Sequence, residues 1–214
     1  MTDHGTLWKS QRAGWNKEYS TPSPLWRGPS AIDVELGEKT TILELGCGDG
    51  KTLAGILGKE RFVVGVDYSL NAVKSCLRRY RPHQSPNLIM SDVCALPFAD
   101  NSFDVVIASH ILEHLVAADR NQAVAECRRV LRSGGMAIVH VFSEHDMRYG
   151  KGREIERNTF VRGNSIMYHY FSKTELSDLF GDFRVKSIEE REVGKRFDGK
   201  DQRRVTLEAV FHLI

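Results

Sequence analysis

Thr41-Ile42-Leu43-Glu44-Leu45-Gly46-Cys47-Gly48-Asp49-Gly50-Lys51-Thr52 is the stretch that decides how this chain folds. A short apolar, β-prone run carries one acid near its end. Glycines follow at alternate positions, and a helix-compatible run begins at Lys51. Physically this is a buried strand, a tight turn and a helix start. The glycines tolerate positive φ and let a ligand approach bare backbone, and N–H groups opening the next helix favour negative or polar ligand groups. Such a site belongs on a doubly wound sheet, at the carboxyl end of a strand. The spacing fits G-x-G-x-G, because Lys51 stands where G-x-G-x-x-G needs its third glycine.

Outward from that loop, Phe62-Val63-Val64-Gly65-Val66 reads as a second buried strand, ending at Asp67, 21 residues beyond Gly46. An acid at that tip accepts hydrogen bonds from both hydroxyls of a ribose. Ser69 is placed to cap the next helix, with Ala72, Val73, Cys76, Leu77 and Tyr80 as its apolar face and Arg78, Arg79 and Arg81 at its end. Asn87 to Ser91 makes a third strand, and Asp92 just past it suits an exocyclic adenine amine, with Val93 against the ring. Val105 to Ser109 is a fourth strand, followed by His110-Ile111-Leu112-Glu113-His114. Asp119 caps a helix that Ser133-Gly134-Gly135 stops, and Met136 to Phe142 is a fifth strand. Ser172-Lys173-Thr174-Glu175 is a capping box opening a helix through Phe180. Phe183 to Val193 and Arg203 to Ile214 are the last strands, paired antiparallel through the Asp198-Gly199 turn.

Two stretches stand outside this pattern. Residues 1–30 hold every tryptophan of the chain, Trp8, Trp15 and Trp26, with Tyr19. A helix from Leu7 to Tyr19 fits their spacing, although Gly14 lies inside it and Pro22 and Pro24 end it. These rings either cap the sheet edge or form a lid that brings Tyr19, Trp26 and Arg27 to a ligand. Residues 143–171 are a long charged connection, and loops of that length are often functional. His145, Tyr168 and His169 are its candidates for orienting a substrate.

The chain has 214 residues, enough for a single domain over 1–214, with 1–30 as an aromatic N-terminal segment and 143–171 as a substrate-side insertion. Hydrophobic content of 41% and charged content of 27% are ordinary for a soluble protein. No apolar run approaches the ~20 residues of a membrane span, and Met1 to Ser10 lacks a secretory layout. Cys47, Cys76, Cys94 and Cys127 share no C-x-x-C spacing and read as reduced residues of a cytoplasmic protein. A net charge of +2 neither demands nor forbids an RNA partner. The oligomeric state is left open.

Taken in order, several motifs resemble the class I S-adenosylmethionine-dependent methyltransferases: Glu44-Leu45-Gly46-Cys47-Gly48-Asp49-Gly50, Val66-Asp67, Ser91-Asp92-Val93 with Leu96-Pro97-Phe98, Ser102-Phe103-Asp104-Val105-Val106 and Arg129 to Gly135. The resemblance implies an α/β fold, a doubly wound seven-stranded, mostly parallel sheet whose antiparallel last strand inserts beside the sixth. It implies S-adenosylmethionine as cofactor. Gly46, Cys47 and Gly48 would pass under its methionine and ribose, with Glu44 at the amino-acid end, Asp67 on the ribose, Tyr68, Asp92 and Val93 at the adenine, and Ser109 and His110 near the sulfonium. Within that superfamily, Asp92 to Phe98, Phe103 to Ser109 and Tyr168-His169-Tyr170-Phe171 are similar to the tRNA wobble-uridine carboxymethyl methyltransferases, and the last piece also to small-molecule enzymes. The acceptor is therefore a small molecule or a tRNA base.

Methyl transfer asks a protein mainly for positioning and for exclusion of water. A carboxylate acceptor needs no base. A hydroxyl or protonated amine does, and His110 is the candidate, since imidazole titrates near neutrality. Residues 110–114 also match H-x-x-E-H, an inverted zinc-peptidase motif, but they follow a strand end in a nucleotide-binding sheet and no metal is expected. A nicotinamide dehydrogenase is disfavoured by Asp92 and the missing third glycine. A cofactor-binding partner subunit or sensor that transfers no methyl is the alternative of a different class.

Overall fold

The computed structural model describes residues 4–20, 32–58, 60–80, 86–197 and 200–214. Its centre is a seven-stranded sheet. In chain order the strands are β1 (Thr41–Leu45), β2 (Phe62–Asp67), β3 (Asn87–Met90), β4 (Phe103–Ser109), β5 (Leu131–Phe142), and then β9 (Phe183–Phe197) and β10 (Lys200–Leu213). Their spatial order is β3-β2-β1-β4-β5-β10-β9. The pairs from β3 to β5 are parallel, and β10 runs antiparallel to both β5 and β9. This is the class I methyltransferase sheet expected from the sequence. The Asp198-Gly199 turn lies outside the described residues, but its two arms pair from Lys200↔Phe197 to Leu213↔Phe183.

Alternate residues of a strand face opposite sides of a sheet, and here both sides are covered. Leu43, Leu45, Val64, Val66, Val106, Val139 and Phe211 pack on one side with Cys127, Val130, Phe171 and Phe180. Ile42, Val63, Val105, Ile107 and Ile138 pack on the other with Leu53, Ile56 and Cys76. The covering helices are α2 (Leu53–Ile56), α3 (Leu70–Arg79), α4 (Ala117–Val130) and α5 (Lys173–Leu179). Among the described residues, no helix is long and apolar enough to cross a membrane.

Several local readings change. The helix expected to begin at Lys51 starts only at Leu53, as α2, because a turn of Gly50 N–H onto the Cys47 carbonyl comes first. Ser69 does cap α3, accepting from Ala72 N–H at 3.3 Å, but Leu77 is 48% exposed and leaves the apolar face. Arg79 pairs with Asp49 at 2.6 Å, a partner that the helix-end reading lacked. Val116, and not Asp119, precedes the first turn of α4. Ser172 Oγ accepts from Glu175 N–H at 3.1 Å, while the Glu175 carboxylate turns to His169 Nε2 at 2.8 Å and leaves the capping box half made.

Both unplaced stretches have structure. The long connection folds into a small sheet of β6 (Arg153–Glu156), β7 (Thr159–Val161) and β8 (Met167–His169), antiparallel throughout. The N-terminal segment is helical as α1 (His4–Glu18). Trp26 and Arg27 lie outside the described residues.

Candidate functional site

At the carboxyl end of β1 the chain turns through Gly46, Gly48 and Gly50, all at positive φ (66°, 54° and 83°). Gly48 is required by a neighbour as well as by its backbone, since a Cβ there would strike the Tyr19 hydroxyl. Asp67 ties this loop to the tip of β2. Its Oδ2 accepts from Gly48 N–H at 3.0 Å and its Oδ1 from Ser69 N–H at 2.8 Å. Each oxygen keeps a further lone pair, which a ribose hydroxyl needs. Burial pushes the Asp67 carboxyl up to about 6, against the pull of those two N–H groups. Glu44 is buried beneath the loop with Oε2 unpartnered, and burial raises its carboxyl well above the usual range. An orphaned buried acceptor facing a cavity is a place where a cationic ligand group would settle.

The expected residues divide between two adjoining cavities. Glu44, Gly46, Cys47, Gly48, Ser109 and His110 line one of ≈ 500 Å³, within the range of small-molecule sites. Tyr68, Asp92 and Val93 line the other, which holds only ≈ 30 Å³. That is water-sized. Trp8 and Gln11 of α1 close it, so a purine enters only once they move. Asp67 lines neither cavity and lies buried against Gly48 and Ser69.

The expected residues therefore fit S-adenosylmethionine at the amino-acid end, where Glu44 Oε2 lacks a partner, and at the ribose end once the Tyr19 hydroxyl, which lies against Gly48, moves aside. At the adenine end they fit it with α1 displaced.

His110 itself takes φ 57°, a left-handed conformation uncommon for a bulky side chain. Its N–H holds the His140 carbonyl at 2.8 Å. Its Nδ1–H reaches Glu113 Oε1 at 2.7 Å. Glu113 is fully buried. Burial alone would raise its carboxyl, but His110 beside it holds it below the usual value, so it is ionised. The pair fixes the imidazole with Nε2 left for the cavity. Glu113 holds the His110 ring, a role that the sequence reading did not give it although it lay in the H-x-x-E-H match, and its i, i+3 spacing from His110 was the available signal. It is therefore committed to His110, while His114 Nδ1–H binds the Met167 carbonyl at 2.8 Å. His114 also meets Trp15 and Tyr168 edge-on, at 4.8 and 5.1 Å.

Of the three orienting candidates in the long connection, only Tyr168 lines the large cavity. His145 is exposed and paired with Glu190, and His169 is buried between Thr159 and Glu175. Trp15, Phe142, Arg148 and Arg204 line the same cavity, and sequence reasoning had assigned none of them to the site by its motifs.

Residues 43–139 match the family described as Methyltransferase domain. The chain is similar to the tRNA N(3)-cytidine methyltransferase of Danio rerio, 30% identical over 162 residues that take in 69% of this chain and 45% of that protein. It thus spans about half the length of the curated relatives it matches. Among solved structures, the 1,6-didemethyltoxoflavin-N1-methyltransferase of Burkholderia thailandensis, bound to 1,6-didemethyltoxoflavin and S-adenosylhomocysteine, is similar with a TM-score of 0.75 at 18% identity, over 100% of this chain and 91% of that one. A Methanosarcina mazei S-adenosylmethionine-dependent methyltransferase gives 0.70 at 21% identity, over 84% and 94%. At such identities the likeness is one of fold.

Proposed function

We propose, because residues 43–139 match the family described as Methyltransferase domain and the sheet has the class I methyltransferase fold, that this protein transfers a methyl group from S-adenosylmethionine to an acceptor seated beside His110. One observation carries the reading: a single cavity runs from Glu44 and the Gly46-Cys47-Gly48 turn to Ser109 and His110. When bound, S-adenosylmethionine supplies a methyl carbon activated by its sulfonium.

The chain's residues do the rest. Asp67 accepts from the ribose hydroxyls, and Glu44 takes the ammonium of the amino-acid end. Tyr68, Asp92 and Val93 hold the adenine after α1 shifts. Trp15, Phe142 and Tyr168 wall the acceptor and exclude water, which strengthens every polar contact inside. Where the acceptor carries an N–H or O–H, its proton goes to His110 Nε2, and Glu113 at Nδ1 stabilises the resulting imidazolium.

The acceptor is a small molecule or a tRNA base. The fish relative is named for a tRNA cytidine, which supports the RNA side, and the bacterial neighbour was captured with a small heterocycle, which supports the other. The four free cysteines suit a reducing, cytoplasmic setting.

The test is transfer of labelled methyl from S-adenosylmethionine into a cell extract separated into RNA, protein and small molecules. Label in RNA or in small molecules supports the enzyme and names the acceptor class. Cofactor that binds while no fraction takes label overturns the reading in favour of a non-catalytic binding protein.

A further inference from the structure

The wall of the large cavity carries a positive charge that methyl transfer by itself does not explain. Arg148 and Arg204 both line it. Both place their guanidinium carbons over the Phe142 ring, at 4.3 and 5.1 Å. They share one carboxylate. Asp146 Oδ1 accepts from Arg148 Nε at 3.0 Å, and Oδ2 from Arg204 Nε at 2.8 Å. Asp146 is fully buried and already accepts from the backbone N–H groups of Arg148 and Val205, each at 3.0 Å. Two guanidinium groups against one carboxylate leave a surplus of one positive charge.

The donors of this pair are not used up. Arg148 Nη2 is buried without a hydrogen-bond partner. Among the described residues the Arg204 side chain hydrogen-bonds only through Nε. Leaving a buried charged donor unpaired is costly, and a planar guanidinium edge matches a carboxylate or phosphate. The glycine-loop wall of the same cavity carries Glu44, Lys51 and Asp49, the last already paired with Arg79, so the surplus at Arg148 and Arg204 is the charge that the acceptor meets. Trp15, Phe142 and Tyr168 supply flat apolar surface in the same cavity. Because Asp146 is fully buried, this anion site is anchored in the protein interior and suits a small molecule better than the backbone of a polynucleotide.

We propose that the acceptor is a small planar molecule bearing an oxyanion, a carboxylate or a phosphate monoester, gripped by the outward edges of Arg148 and Arg204 while its ring lies among Trp15, Phe142 and Tyr168. This rests on reading the cavity as the methyl-transfer site.

The test is calorimetric titration of the full chain, saturated with S-adenosylhomocysteine, using benzoate, phenyl phosphate and the neutral benzamide. At least one anion binds tenfold or more tightly than benzamide, and which one does so separates carboxylate from phosphate. Arg148→Met and Arg204→Met each abolish that preference while S-adenosylhomocysteine affinity changes less than twofold. Arg148→Met leaves Asp146 its two backbone donors and Arg204, and Arg204→Met leaves it Arg148, so either variant retains a paired carboxylate. Arg204→Lys, which keeps charge without the fork, retains only part of the preference.

Equal binding of all three probes overturns the proposal, as does a preference that survives both methionine variants. So does loss of S-adenosylhomocysteine in place of the anion, which would assign the pair to the cofactor's own carboxylate. Binding of a tRNA transcript that depends on Arg148, with no discrimination among the small probes, replaces the small oxyanion by nucleic-acid phosphate. A wild type that binds no S-adenosylhomocysteine yet still prefers the anions would sink the methyl-transfer reading and leave the anion site standing.

Discussion

At the scale of single residues, two buried carboxylates have opposite tendencies. Glu113 is ionised despite full burial because the His110 imidazole faces it at 2.7 Å. Glu113→Gln keeps a hydrogen-bond acceptor at Nδ1 but removes the charge that stabilises an imidazolium. With an acceptor that must lose a proton, kcat falls roughly 10–100-fold, on the scale of general-base catalysis, while KM and S-adenosylhomocysteine affinity hold. A parallel loss of affinity would mean that Glu113 merely supports the fold. Asp67 has the reverse tendency, its carboxyl pushed up to about 6 by burial. A folded value above the ordinary aspartate value means that its contribution to stability is present below pH ~4 and is lost as pH rises through about 6. Ribose binding needs the ionised form, so S-adenosylhomocysteine affinity runs the other way, level above pH ~7 and declining below about 6. Asp67→Asn weakens binding and flattens that decline. An unchanged pH dependence in the variant would remove Asp67 from the site.

At the scale of elements, α1 is what the motifs left undecided. Its spacing predicted a helix, and Gly14 counted against one. The structure gives Gly14 its reason, since a Cβ there would lie 2.7 Å from the Asn164 carbonyl oxygen. Close approach to the turn before β8 demands the residue that helix propensity disfavours. Gln11 then fastens the helix, its Nε2 donating to the His114 carbonyl and its Oε1 accepting from Met167 N–H at 3.2 Å. Asn16 adds Ser69 Oγ at 2.6 Å and Asn71 Nδ2 at 3.0 Å. Gln11→Ala leaves two buried backbone groups unpaired, at about 1–3 kcal/mol. Amide exchange across residues 4–18 should then quicken by roughly 10–100-fold. Exchange unchanged from wild type would show that Gln11 does not hold the helix down.

At the scale of the whole molecule, the antiparallel hairpin closes the core. Phe211 of β10 is fully buried and stacks on Phe180 at 4.3 Å with an interplanar angle of 8°. Phe211→Ala costs about 3–5 kcal/mol, read as a lower denaturant midpoint at unchanged slope. A drop under about 1 kcal/mol would mean that this end of the sheet repacks freely. The hairpin also matters to the site, because β10 supplies Arg204, whose neighbour Val205 donates to Asp146.

The β1 to β5 core was legible because each strand and its loop are written contiguously. Thr41–Leu45 came out with its own boundaries, and the residues placed at the strand ends, Glu44, Gly46 to Gly48, Tyr68, Asp92, Val93, Ser109 and His110, line two neighbouring cavities. Parallel topology sends every such loop to one edge of the sheet, so order along the chain sufficed. The small sheet of β6 to β8 was not legible, since its strands have only 3 or 4 residues and no clean alternation. Nor was the basic wall. Arg148 and Arg204 are 56 positions apart in a chain with many arginines, and only the pairing of β10 with β5 and the burial of Asp146 bring them onto one ring. Sequence by itself determined the sheet and which strand-end residues gather at its carboxyl edge, through local pattern and strand order. Tertiary packing alone decided that Trp8 and Gln11 close the smaller cavity and that Arg148 and Arg204 share one wall of the larger, because both depend on contacts between segments that carry no signal to one another along the chain.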